Sequence, residues 1–302
     1  MKAHNLSREL QMLVAPAAAR ALQIVMDGFI MEAGSGKGQV RYDFMETDLL
    51  RVMTYNIHSC VGRGKCVSPE VTAEAIRQVN PDVAALQEVD DGIPRTSCLS
   101  QARYLSEVLG MEFSFCSTVL HAEGRYGLAV ISRYEIEVLR CEHLPTLSPF
   151  RLQRRGALHV ALHTPGGRVH VFNTHLSLLS LERRVQLRRL MGEHWLGAVP
   201  EGEPVIFCGD LNAGPASPVY RRLASVLTDV QKAAPRRLRR VKATFTSGRP
   251  LFRIDHIFVS DHLKVLSSEV PAHSIYRSAS DHLPVCADLT WRRPVDIGHV
   301  IS

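Results

Sequence analysis

Several apolar runs of this sequence end in, or are broken by, side chains suited to polar chemistry. RVMTYN closes on Asn56, VAALQE on Glu88, VHVFNTH on His175, and VIFCGDLN on Asp210 and Asn212. RIDH carries Asp255 beside His256, and Asp281 with His282 stands just ahead of LPVCADL. Asp and Glu are almost never fully buried unless paired, so packing alone does not explain the set. Carboxylate, amide and imidazole groups held together could bind a water and the oxygens of a phosphate.

Each segment also has a plainer reading. LQEVD could be a strand-end turn. In GDLN an extended chain would point Asp210 and Asn212 the same way with Leu211 turned back, and Gly209 allows close approach of backbone; an Asx-turn after a strand is the alternative. His175 in NTHLSL could cap a strand from the core, and SDHLP could be a loop hydrogen bond. Asp255 interrupts an apolar run, which is costly without a partner. His282 from a distant loop is the natural one, since a carboxylate raises a histidine pKa and keeps the ring cationic.

The elements that must position these groups can be read from periodicity. Strands are expected over 50–57, 83–88, 127–133, 157–162, 168–175, 204–209, 253–259 and 284–290. Helices are expected over 69–78, opened by Ser68 and Pro69, and over 100–109, 181–195 and 217–232. Strands in excess, many joined by short turns such as TPGGR, indicate mixed sheets. Strand ends and their loops are where a rigid sheet brings side chains to one mouth.

The chain has 302 residues, 36 Lys and Arg against 30 Asp and Glu, a net charge of +6, and 45% apolar residues. Mean hydropathy is −0.02. This describes a globular protein without a transmembrane span, expected to be a cytoplasmic monomer. The 7 Cys form no CxxC pair, so reduced thiols are expected rather than a disulfide framework or zinc site. Residues 1–49 read as an extension, 50–291 as one domain and 292–302 as a tail. Within the extension, GSGKG lacks phosphate-loop spacing and reads as linker. Residues 10–31 are apolar but interrupted, unlike a signal peptide. Met45, just before the first strand pattern, is a second possible start, which would leave 1–44 untranslated.

In order, YNI, LQEVD, NTHLS, GDLNAGPASPVY, RIDHIFVS and SDHLPV resemble the signature series of the endonuclease/exonuclease/phosphatase superfamily, over roughly residues 50–291. The resemblance implies an α/β fold of DNase I-like type, a four-layer αββα sandwich of two mixed β-sheets. It further implies a phosphoesterase using Mg²⁺ or Mn²⁺, a hard cation that prefers oxygen ligands. By the same resemblance Glu88 would be the principal metal ligand, with Asn56 nearby and Asp281 as ligand or electrostatic support. Asp210 would orient and deprotonate the attacking water. Asn212 and His175 would donate to the non-bridging oxygens, as would His282, held cationic by Asp255. The sequence departs from several superfamily nucleases at His58, where an Asp is usual. This His58 could be a ligand, a supporting group or a loop imidazole.

The mild excess of positive charge favours an anionic partner over a cationic one, and the resemblance implies a phosphoester. Phosphodiester hydrolysis on nucleic acid or on phospholipid headgroups is expected, with an inositol-phosphate monoester third and a catalytically silent anion-binding scaffold fourth. Basic residues cluster at Arg151, Arg154 and Arg155, and at Arg183, Arg184, Arg188 and Arg189, the latter read as a solvated helix face. The third cluster, Arg236, Arg237, Arg239 and Arg240 in PRRLRRVK, precedes RIDH and could overhang the mouth and hold nucleic acid or a membrane surface; a basic loop with no partner is the competing reading.

Overall fold

The fold was obtained as a computed structural model and describes residues 49–147, 154–235 and 241–292. The extension with GSGKG and Met45, the tail from 293, Arg151, and Arg236, Arg237, Arg239 and Arg240 lie outside the described residues.

The strands in chain order begin with β1 (Leu49–Asn56), β2 (Val83–Asp91), β3 (Glu112–His121) and β4 (Gly124–Ser132). Next come β5 (Ile136–His143), β6 (Gly156–Thr164), β7 (Gly167–His175), β8 (Val205–Asp210), β9 (Thr228–Asp229) and β10 (Asp255–Val259). The last are β11 (Leu263–Glu269) and β12 (Val285–Trp291). They form two six-stranded sheets, ordered β11-β12-β1-β2-β4-β3 and β5-β6-β7-β8-β10-β9. Each is mixed: β1 runs parallel to β2 and β7 to β8, whereas β2–β4 and β8–β10 are antiparallel. The helices are α1 (Pro69–Val79), α2 (Gln101–Leu109), α3 (Ser180–Leu190), α4 (Pro218–Leu223), α5 (Val230–Ala233) and α6 (Ser274–Ala279).

Strand alternation makes the layers. Ile206, Cys208, Ile257 and Val259 of the second sheet share a core with Val52, Leu86 and Val130 of the first and with Ala73 and Ile76 of α1. The intervening Phe207 and Phe258 turn outward onto Leu187, Leu190 and Tyr220 of α3 and α4. A helix layer thus covers the far side of each sheet, giving the four-layer αββα sandwich. The same period of two puts Asp210, in phase with Cys208, and Asp255, in phase with Ile257, on the face between the sheets. A buried polar tie crosses that gap: Gln87 Nε2 donates to Thr54 Oγ1 at 3.0 Å and Asn173 Oδ1 at 2.8 Å.

Three expectations need correction. Cys116 of β3 and Cys141 of β5 form a disulfide, Cα to Cα 5.6 Å, which joins edge strands of the two sheets; the expected set of reduced thiols therefore holds only for the other five. The helix expected over 217–232 is broken into α4 and α5 by β9. Val226 and Thr228 favour strand over helix, and Asp229 pairs with Phe258, caps α5 and takes Arg253 at 2.6 Å. The helix expected over 181–195 ends at Leu190, and Trp195 turns back into the outer core.

Candidate active site

Register brings the site together before any side chain is considered. His175 of β7 lies directly opposite Asp210 of β8, and Asp210 directly opposite Asp255 of β10. Three strand ends thus place an imidazole and two carboxylates in one row. Gly209 makes this row possible: its φ is +138°, and a Cβ there would lie 1.9 Å from the Thr174 carbonyl oxygen. The first sheet supplies the facing wall, where Asn56 ends β1 opposite Gln87 and Glu88 follows on a bulge of β2.

Asp210 Oδ2 is the hub. Asn56 Nδ2 donates to it at 3.1 Å, His175 Nε2 lies at 3.3 Å and His282 Nε2 at 3.8 Å. The other oxygen, Oδ1, accepts from the Asn212 backbone N–H at 2.9 Å. The Asx-turn and the gathering of polar side chains therefore coexist. The turn also corrects the extended picture of GDLN, because Asn212 has φ +47°. Asn212 Nδ2 donates to the Leu176 carbonyl at 2.9 Å and lies 3.1 Å from His175 Nε2. Behind the turn, His256 Nε2 bonds the Ala213 carbonyl at 2.8 Å from the outer side of the sheet.

Charge is divided unequally between these groups. Burial, and then Asp255, push the Asp210 carboxyl up to about 7, against the pull of His282 and Asn212. Burial disfavours a cationic His282, yet Asp255, hydrogen-bonded at 2.9 Å, and then Asp210 and Asp281 push that ring up to about 10. His175 is held well below the ordinary imidazole range by burial, the Arg155 guanidinium and His282. One histidine is thus neutral and the other cationic beside the same carboxylate.

Glu88 is half-buried and has φ +57°, a conformation costing about 1–3 kcal/mol that persists where the surroundings fix it. Asn56 Nδ2 donates to its Oε1 at 3.0 Å, while Asn56 Oδ1 accepts from the His58 backbone at 3.0 Å. Asn56 thus presents nitrogen, not oxygen, to the two carboxylates. Asp281 lies 3.7 Å from His58 Nδ1, and both are partly exposed. Asp90, fully buried, ties this end down through Arg95 Nε at 2.8 Å and Ser59 Oγ at 3.0 Å. Asp210, Asp255 and His282 offer ligand atoms within 4.8 Å of one another. Asp255 Oδ2 is taken by His282, while its buried Oδ1 has no hydrogen-bond partner among the described residues; Glu88, whose Oε1 accepts from the neutral Asn56 amide and which is only half-buried, is the more accessible carboxylate for a hard cation.

Two basic residues behave differently from their clusters. Arg155 is buried, with Nη1 3.0 Å from His175 Nδ1. Arg183 turns from the solvated face of α3 to bind the Ser177 and Leu178 carbonyls at 3.0 and 2.6 Å, fixing the segment after His175. Arg184 and Arg188 stay exposed, lining a groove of about 500 Å³ with Arg222 over Leu187, Met191 and Val219. Nothing in the spacing of the arginines marks Arg155 or Arg183; only the register of β6 with β7 and the turn before α3 do.

The model of the Endonuclease/Exonuclease/phosphatase family matches residues 53–282, which contain all of these groups. YbhP of Escherichia coli is 28% identical over 254 residues, covering 79% of this chain and 95% of YbhP. The crystal structure of an endonuclease/exonuclease/phosphatase from Beutenbergia cavernae is similar with a TM-score of 0.64 and 28% identity, covering 81% of this chain and 72% of that one. The mannosyl-6-phosphatase of Bacteroides thetaiotaomicron has a TM-score of 0.65 at 20% identity, covering 80% and 100%, a likeness of fold.

Proposed function

The chain belongs to the endonuclease/exonuclease/phosphatase family, and from that premise we propose that it is a divalent-metal-dependent phosphodiesterase acting on nucleic acid through a water oriented by Asp210. The observation that carries this is the ring of Asn56, His175 and His282 around Asp210 Oδ2, with Glu88 on the facing wall. A carboxyl pushed up to about 7 is matched to taking a proton from water near neutral pH.

Glu88 would hold the cation, Mg²⁺ or Mn²⁺, with Asn56 orienting it and Asp281 adding charge or a ligand at the rim. Bound there, the cation supplies Lewis-acid stabilisation of the phosphoryl oxygens. His175 and Asn212 donate to the non-bridging oxygens, and cationic His282, anchored by Asp255, offsets the charge that builds there. Arg236, Arg237, Arg239 and Arg240 would neutralise neighbouring phosphates.

A second reading, the headgroup diester of an anionic phospholipid with peripheral membrane contact, is favoured by one feature. Leu178 and Leu181, directly after His175, are 67% and 65% exposed, as suits a surface that meets acyl chains. No helix among the described residues is long and apolar enough to cross a membrane. The deciding experiment is a screen of the purified chain, with Mg²⁺, Mn²⁺ or EDTA, over bis-p-nitrophenyl phosphate, single- and double-stranded DNA, RNA and anionic vesicles. Metal-dependent cleavage of a nucleic acid supports the first reading and of phospholipid the second. Cleavage of none sinks both.

A further inference from the structure

Arg155 precedes β6, and the β6–β7 register, Ala157 opposite Thr174, carries it to the end of β7 where His175 stands. It is 8% exposed. Among the described residues no carboxylate lies within ion-pair distance of it; its polar side-chain contact is Nη1 with His175 Nδ1 at 3.0 Å. A buried guanidinium without an acid is costly, so its placement against an imidazole calls for a reason.

The chemistry of the pair supplies one. A guanidinium has donors only and does not lose its proton. His175 Nδ1 must therefore offer its lone pair, and the neutral ring must carry its single proton on Nε2. Glu88 Oε1, 4.0 Å from Nδ1, is too far to draw a proton to the other nitrogen. The Nε2–H then lies beside Asp210 Oδ2 at 3.3 Å and 3.1 Å from Asn212 Nδ2. Two N–H groups cannot bond each other. Asn212 uses one hydrogen on the Leu176 carbonyl at 2.9 Å, which leaves the other and the imidazole proton able to converge on one acceptor.

We infer that Arg155 is a positioning residue: it fixes His175 as the Nε2–H tautomer, so that His175 and Asn212 donate together to a single non-bridging oxygen of the phosphoester. The inference rests on the proposed reading for the identity of that oxygen. A carboxylate at Nδ1 would draw a proton and favour a cationic ring. A guanidinium there keeps His175 a hydrogen-bond donor rather than a proton donor, leaving the cationic role to His282.

The test is a long-range ¹H–¹⁵N spectrum of the histidine-labelled full-length chain in Mg²⁺, with His175 assigned by the His175→Gln variant. The wild type should show a neutral His175 protonated at Nε2 alone. Arg155→Met should lose that pattern and lower kcat on bis-p-nitrophenyl phosphate by about tenfold or more, with KM changed by less than about twofold and part of the rate restored by added guanidinium ion. Arg155→Lys, which keeps a cationic donor, should keep the tautomer. An Nδ1–H or doubly protonated His175 in the wild type would overturn the inference, as would Arg155→Met with an unchanged ring, whatever its rate. Should Arg155→Met fail to fold, the wild-type spectrum still decides. A wild type inert towards every ester would sink the functional reading and leave the spectrum to judge the tautomer.

Discussion

Asp210 accepts on both oxygens, from the Asn212 backbone on one and from Asn56 on the other, and yet burial and Asp255 hold its proton more tightly than usual. The role proposed for it as base requires the ionised form. Raising the pH through the pKa of this carboxyl therefore raises the rate. We predict an acid limb in kcat/KM at about 7 in weak metal, moving lower as a bound cation stabilises the anion. A flat profile between about pH 5 and 8, where a base of that pKa must titrate, would contradict it. At Glu88 it is charge that matters: Glu88→Gln keeps shape and the contact with Asn56 but removes the anion a hard cation needs. The variant should require more Mg²⁺ and regain part of its rate when metal is raised; wild-type metal dependence would remove Glu88 from the metal site.

At the scale of elements, the close approach of β7 and β8 holds the row together. Gly209→Ala would put a methyl 1.9 Å from the Thr174 oxygen at a φ of +138°. We expect a loss of about 2–4 kcal/mol, the sum of a strained conformation and an overpacked contact, read from urea unfolding, with activity falling as His175 and Asp210 are spread apart. Stability within about 0.5 kcal/mol of wild type would show that the strands yield freely. The sequence made the central strands legible because they are buried on both faces and read as apolar runs. The four it did not disclose, β3, β5, β9 and β11, are the four sheet edges. Edge strands mix charges into their apolar residues, as IEVLRCEH and LKVLSSE do, which blurs the period of two. The site was legible for a related reason: Asn56, His175, Asp210 and Asp255 sit at the ends of buried strands, and Glu88 on a bulge within one. Arg155 was not, because its partner is 20 residues away and only antiparallel register shows that they meet.

At the scale of the whole molecule, the Cys116–Cys141 bond closes the edge of one sheet onto the other. Such bonds persist in oxidising compartments and are rare in the cytosol, which pulls against the cytoplasmic placement expected from the sequence. Thiol titration of the denatured, unreduced protein should count 5 free cysteines, rising to 7 after reduction; 7 before reduction would restore the expectation of reduced thiols. The two sheets also act as one frame for the chemistry, since Asn56 and Glu88 come from the first and His175, Asp210 and Asp255 from the second. The most direct test of that shared site is the turnover of bis-p-nitrophenyl phosphate in saturating Mg²⁺ by the wild type and by Asp210→Asn, with thermal unfolding of both. Metal-dependent turnover is expected in the wild type and a loss of at least about a hundredfold in kcat in the variant, with the fold intact. Equal turnover by a variant that melts like the wild type would contradict it.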